Sequence, residues 1–170
     1  MNCAARRITF GCARRTDRRV SRFYFAYGSN MNPARVSGRG LRFDLVCGAR
    51  LDGVRVSFDK QSRDHPLSGH ANLAYERGAC AEGVLYRLES AAEIERMDAF
   101  EATPVNYSRE IVSVMVNADP VVAWTYFANP AVVRSGLRPE RAYLKHLLAG
   151  REHLSPRYFQ WLKAVRCVDD

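Results

Sequence analysis

A chain of 170 residues with 47% hydrophobic and 26% charged side chains is long enough to bury one good core and too short to promise two. No apolar run approaches the ~20 residues needed to cross a bilayer, and Met1 to Arg22 lacks the continuous apolar segment of a secretory signal; a soluble, cytoplasmic protein with no membrane partner is expected. The net charge of +8 is unevenly placed, because residues 1–22 carry seven Arg and one acid (+6) while residues 23–170 hold nineteen basic and seventeen acidic residues (+2).

The basicity therefore belongs to an N-terminal tail, residues 1–22, expected to be disordered, and the globular domain is residues 23–170. A nearly balanced domain gives no reason to expect nucleic acid as its partner. The tail itself has two readings: an electrostatic contact with a polyanion, or an unselected extension without periodicity or a function of its own. Cys3, Cys12, Cys47, Cys80 and Cys167 are odd in number, irregularly spaced and without a CxxC pair, which argues against a disulfide framework or a zinc site.

In chain order, Phe23 to Tyr27 is a short aromatic run stopped by Gly28-Ser29-Asn30, the pattern of a buried strand entering a turn. Arg42 to Ala49 is a strand candidate, and Val54, Val56 and Phe58 alternate with Arg55 and Ser57 as a half-buried strand does. Ala71 to Tyr75, Glu82 to Leu88, Tyr107 to Val116 and Val121 to Ala128 follow, the last two as a hairpin across Asn117 to Pro120. Ser90-Ala91-Ala92-Glu93 reads as a capping box, with Ile94, Met97 and Phe100 after it at three-residue spacing. Pro139 suits a first helical turn and Gly150 a C-terminal cap, with Tyr143, Leu144, Leu147 and Leu148 between them. Ser155-Pro156 opens a last helix whose Tyr158, Trp161, Leu162 and Val165 fall on one face. Strands first and helices last make an α+β fold: a small, mixed, mainly antiparallel sheet or β-barrel with packed helices.

Chemistry has three candidate locations. The turn Tyr27-Gly28-Ser29-Asn30 presents backbone amides that can form a nest for a carboxylate or an oxyanion; the same residues also suit a purely structural turn. Glu101 lies four residues after Met97 and seven after Ile94. If the helix continues that far, its carboxylate joins their apolar face at the negative end of the helix dipole, and burial plus the dipole raise its pKa. If the helix stops at Phe100, Glu101 turns into solvent. The third location is a scatter of polar and aromatic residues: Lys60, Ser62, Ser68, His70 and Asn72, then Tyr107, Tyr126 and Tyr143. The four His residues form no HxxxH or HExxH pattern that would suggest a metal.

Five segments in order resemble the γ-glutamylcyclotransferase family: YFAYGSNM (Tyr24 to Met31), GVLYRL (Gly83 to Leu88), FEATPVNYSR (Phe100 to Arg109), AWTYFA (Ala123 to Ala128) and RAYLKHLLAGREHLSPRY (Arg141 to Tyr158). The resemblance implies a small α+β β-barrel fold that needs no cofactor and no metal. It implies a small-molecule γ-glutamyl substrate, whose α-amine attacks its own γ-carbonyl to give 5-oxoproline and a free amine or amino acid. By position, Glu101 would be the catalytic general acid/base and Tyr27, Gly28, Ser29 and Asn30 the binding loop, with Tyr107 and Tyr143 lining the pocket. Ala102 departs from the pattern, since a glycine normally follows the glutamate; an Ala there leads one to expect a negative φ. The stretch Gln61 to Ala71 is expected at the pocket mouth, and the chain is expected to be a monomer or homodimer. Two alternatives remain: a non-catalytic member of the same fold that binds a small metabolite, and polyanion binding through the tail.

Overall fold

The computed structural model describes residues 21–170. Of the expected tail, residues 1–20 lie outside the described residues. Ser21 and Arg22 are tied to the domain: the Ser21 hydroxyl donates to the Val122 carbonyl (2.7 Å) and the Arg22 Nη2 to the Glu89 carbonyl (2.6 Å).

Five strands, β1 (Phe23–Ala26), β2 (Phe43–Gln61), β3 (Gly69–Leu88), β4 (Tyr107–Val116) and β5 (Asp119–Ala128), close into a barrel in the order β1-β3-β2-β4-β5. All neighbours are antiparallel except β1 and β5, which pair in parallel. Four helices accompany them: α1 (Pro33–Gly38), α2 (Glu93–Glu101), α3 (Arg141–Leu148) and α4 (Pro156–Lys163). None of the described helices is long and apolar enough to cross a membrane.

Strand β1 is apolar throughout because both its faces are buried. Phe25 and Tyr27 point into the barrel with Leu51, Val54, Leu73, Leu85 and Val114. Tyr24 and Ala26 point outward into a second layer, where Ile94 and Met97 of α2, Leu144 and Leu147 of α3 and Leu162 of α4 cover the sheet. Each such large side chain, fully buried, contributes roughly 1.5–3 kcal/mol. The two layers clamp β1, and the turn that leaves it inherits their rigidity.

Four of the expected strands are in fact two. Arg42 to Ala49 and Val54 to Phe58 join as β2, and Ala71 to Tyr75 and Glu82 to Leu88 join as β3. The break in pattern is a register shift between Asp52 and Val54. Before it Ala49 and Leu51 are buried, after it Val54 and Val56. Across it β2 advances two residues, from Asp52 to Val54, while β3 advances five, from Cys80 to Tyr75; with Gly53 at φ +79°, the inward set of β2 moves from odd to even numbers without ending the strand. The expected β4–β5 hairpin forms with a tighter turn: β5 starts at Asp119 instead of Val121, leaving Asn117, at φ +57°, and Ala118 between the strands.

The helix starts differ more. The capping box does not form: α2 begins at Glu93 with no side-chain cap, and the buried Glu93 carboxylate instead accepts from the backbone N–H and the Nη2 of Arg42, both at 3.2 Å. A partner with two donors outcompetes the local amide. Helix α3 starts two residues after Pro139, and Gly150, at φ −78°, is not a left-handed cap. Ser155 does cap α4, accepting from the Tyr158 amide, with Pro156 at its first position.

Candidate active site

The turn after β1 is a single 3-10 turn, Ser29–Met31, closed by the Met31 amide donating to the Gly28 carbonyl (2.9 Å). A Cβ on Gly28 would sit 3.1 Å from both the Ala71 Cβ and the Tyr143 hydroxyl. β3 and α3 approach the turn so closely that any side chain at Gly28 would have to displace them by a few tenths of an ångström. The Tyr143 hydroxyl accepts from the Ala71 amide (2.9 Å) and is also approached by the Ser29 amide. One of the three amides expected to form the nest thus already faces a protein oxygen.

Asn30 is buried and its polar atoms are committed. Its Nδ2 donates to the Tyr24 hydroxyl (2.8 Å) and to Glu101 Oε1 (3.0 Å), its Oδ1 accepts from Arg39 Nη1 (2.9 Å), and its carbonyl accepts from the Tyr86 hydroxyl (2.7 Å). Arg39 Nη1 also pairs with Glu101 Oε1 at 3.3 Å, and its guanidinium lies 4.7 Å from the centre of the Phe100 ring. Both contacts to Glu101 fall on Oε1. No described residue hydrogen-bonds Oε2.

Glu101 is the last residue of α2, on the face of Ile94 and Met97, as its spacing predicts. Its side chain is 16% exposed. Burial raises its pKa above the ordinary carboxylate value, while the charge of Arg39 and the hydrogen bonds of Asn30 and Arg39 pull the other way. The helix stops in a Schellman turn: the Ala102 amide donates to the Ala99 carbonyl (3.3 Å) and the Thr103 amide to the Asp98 carbonyl (3.0 Å). That motif needs a left-handed residue just past the end, and Ala102 supplies it at φ +49° and ψ +46°. The expected negative φ is therefore corrected. The turn imposes the conformation, and Ala102 bears a Cβ cost of about 1 kcal/mol that a glycine would not.

Tyr27, Gly28, Ser29, Asn30, Glu101, Tyr107 and Tyr143 all line one recess, together with Tyr24, Ala71 and Tyr126; its empty volume, open mouth included, is about 300 Å³. The structure thus brings all seven sequence-predicted residues together. The tyrosine hydroxyls are largely engaged in the frame: Tyr27 donates to the Tyr126 carbonyl (2.6 Å), Tyr107 to the Ala71 carbonyl (2.9 Å) and Tyr126 to Asp98 Oδ1 (2.7 Å). Burial pushes the Tyr143 hydroxyl up to about 12, so it stays protonated near neutral pH.

The third group of candidates divides. Lys60 and His70 line a second, adjoining recess with Arg63 and Asp64, which puts part of the Gln61 to Ala71 stretch at the mouth. Ser62 and Ser68 instead hold the β2–β3 loop, through the Ser62 amide to the Ser68 carbonyl and the Ser68 hydroxyl to the His65 carbonyl. Asn72 bridges the Asp59 carboxylate and the Ala128 amide. Sequence reading missed Arg35 and Arg39, which α1 delivers to the site. A signal was present: Asn32-Pro33 is a helix start, and two Arg four residues apart follow it directly after the binding turn.

The sequence model of the family described as "Gamma-glutamyl cyclotransferase, AIG2-like" matches residues 24–145. A search of curated protein sequences finds no match. Among solved structures, an uncharacterized protein from Homo sapiens is 25% identical, with a TM-score of 0.76 over 87% of this chain and 89% of that one. A structure described as a gamma-glutamyl cyclotransferase is 24% identical (TM-score 0.75, the same coverages), a likeness of fold. YkqA from Bacillus subtilis is 25% identical, with a TM-score of 0.74; the match covers 87% of this chain but only 56% of that longer one.

Proposed function

Because the chain belongs to the gamma-glutamyl cyclotransferase, AIG2-like family, we propose that it cyclises γ-glutamyl amides to 5-oxoproline, with Glu101 moving the proton. The substrate's α-amine attacks its own γ-carbonyl carbon, a C–N bond closes the five-membered ring, and the C–N bond to the departing amine breaks. Water is not consumed. The α-amine is mostly an ammonium near pH 7 and cannot attack, so a base must take a proton from it. Forming the lactam strips two protons in all from the α-nitrogen: one must reach the departing nitrogen, which cannot leave as an amide anion, and the other ends on the released amine as its ammonium.

The observation that carries this reading is the asymmetry of Glu101. Asn30 and Arg39 hold Oε1, while Oε2 has no bond from any described residue. One oxygen fixes the carboxylate and the other is left to exchange a proton. A carboxylate raised by burial is a better base than a solvated one, and its conjugate acid remains acidic enough to protonate the departing amine. Ring closure needs amine and carbonyl carbon about 3–3.5 Å apart. In this reading the tyrosine-walled recess imposes that folded pose, and the Gly28–Asn30 turn binds the α-carboxylate or the carbonyl oxygen as it gains charge. Asn30 then acts through its side chain as a positioning residue.

The test is a panel of γ-glutamyl amino acids and γ-glutamyl amines assayed for 5-oxoproline and free amine. Equal yields of the two products, with no ¹⁸O from labelled water in the 5-oxoproline, are expected. Free glutamate in place of 5-oxoproline would mean hydrolysis. No product from any member would leave the recess as a binding site only.

A further inference from the structure

A third recess shares no residue with the inner, tyrosine-walled recess or with the adjoining outer one that holds Lys60 and His70. One wall is Arg55 to Asp59 of β2. The others are the segment Ser135 to Pro139, which precedes α3, and Val165 and Arg166, which follow α4. Its empty volume, open mouth included, is about 840 Å³.

Consecutive strand residues point to opposite faces of a sheet, so a groove that touches five in a row runs along the strand's edge. On one edge this part of β2 is paired with β3, from Val54 with Tyr75 to Ser57 with Asn72. On the other edge β2 bridges to β4 at Arg50 and to Val133 at Lys60. Among the described residues, no strand pairs with the stretch between those two bridges; near its end the Asp59 carbonyl accepts from the Arg134 amide (2.7 Å). An edge of this kind presents N–H and C=O groups to which another extended chain can be added.

The groove is both basic and apolar. Arg55, Arg138 and Arg166 come from three separate segments, and all three are exposed. Arg55 pairs with Glu76 at 2.7 Å, whereas no carboxylate of a described residue lies within ion-pair distance of Arg138 or Arg166. The acid on the wall, Asp59, accepts from Asn72 Nδ2 (3.0 Å). Phe58, Leu137 and Val165 supply half-buried apolar surface among the charges. A second copy of the chain, paired edge to edge, would set arginines against arginines. Residues 1–22, with a charge of +6, would be repelled in the same way. An acidic partner is attracted.

We propose that the edge of β2 at Arg55 to Asp59 is a docking site for an acidic segment of a partner protein, which adds there as an extra strand. Arg138 and Arg166 receive its carboxylates, and Phe58, Leu137 and Val165 receive the apolar side chains that alternate with them. Five strand residues span roughly 16 Å, so the paired segment is about five residues long. The site is independent of the cyclotransferase reading.

The experiment follows the fluorescence anisotropy of a labelled decapeptide of alternating Glu and Val added to the full-length protein. A decapeptide of alternating Lys and Val, and the acidic decapeptide N-methylated at every residue, are the comparisons. The acidic peptide is expected to bind about tenfold or more tightly than the basic one. N-methylation removes the donors of a strand ladder and should weaken binding by about tenfold. Arg138→Glu combined with Arg166→Glu should weaken the acidic peptide by about tenfold or more while the melting temperature stays at the wild-type value, both residues being exposed. Affinity that survives in this double variant would overturn the groove and assign the peptide to the basic tail, which the variant retains. An N-methylated peptide that binds equally well would overturn strand addition. No binding of the acidic peptide, or equal binding of the acidic and basic ones, would overturn the proposal outright. Sedimentation velocity tests the remaining occupant: a wild-type dimer that the acidic peptide dissociates would give the edge to a second copy of the chain, and no such dimer is expected.

Discussion

The two recesses share Glu101 and are built in opposite ways. In the inner one the tyrosine hydroxyls and the Asn30 side chain find partners within the protein, so the wall is a finished piece of the fold. In the outer one Lys60 is buried without an ion pair and Arg35 Nε without a hydrogen bond. Satisfied polar groups are rigid and expensive to disturb, whereas unsatisfied ones lower stability and invite a ligand. The inner recess is thus a finished frame, and the outer one keeps charged groups that the described residues leave unsatisfied.

The largest expected effect breaks β1, the strand that carries the turn into the inner wall. A Cβ on Gly83 of β3 would lie 2.3 Å from the Ala26 carbonyl oxygen and 2.8 Å from the Phe25 ring. Gly83→Val should therefore lose about 4 kcal/mol or more, read by chemical denaturation, or fail to fold; a variant that unfolds at the wild-type midpoint would show that the wall yields. Gly28→Val is milder, since its neighbours stand at 3.1 Å. Overpacking of roughly 1–3 kcal/mol should appear mainly as weaker ligand binding in calorimetry, and unchanged affinity would make the turn merely structural.

Arg39→Met tests the electrostatic balance at the point where the recesses meet. The carboxylate of Glu101 sits above its ordinary pKa because burial outweighs Arg39 and Asn30. Removing Arg39 removes a lowering influence, so the pKa rises further. The base must be ionised to act, so the acidic limb of kcat/KM should move to higher pH. A limb that stays in place, or moves down, contradicts that balance. The smallest effect is expected at Ala102. Ala102→Gly relieves the left-handed strain and should stabilise the protein by about 1 kcal/mol at most, measured in urea, with activity retained; destabilisation would mean that the φ of +49° costs nothing.

Much of the inner recess was legible in the sequence. FYFA is fully apolar because two core layers cover it, and Glu101 follows Ile94 and Met97 at helical spacing, so local pattern and tertiary placement agree. Tyr107 to Val116 has the bounds of β4 because the hairpin needs nothing distant to form. The outer recess was mostly hidden. Lys60 stood out only as one member of a scattered polar set, Arg35 rides on α1, six residues (PARVSG) with no apolar periodicity, and Arg39 is the residue that ends it. Long-range competition accounts for the other differences. Glu93 leaves its capping box for Arg42, 51 positions away, and the register shift at Gly53 reverses the parity of β2, which makes one strand read as two. What is local is readable; what depends on a partner far along the chain is not.

The central claim is that Glu101 moves the proton, and Glu101→Gln tests it most directly. Glutamine can keep the contacts of Oε1 with Asn30 and Arg39 but cannot accept a proton. Ionising a carboxylate whose folded pKa is raised destabilises the native state as pH rises above its unfolded value, so at pH 7 the variant should melt no lower than wild type and still bind a γ-glutamyl amino acid. Its release of 5-oxoproline should fall by about 10²–10⁴-fold. Release within a few-fold of wild type, from a folded variant, would contradict the account.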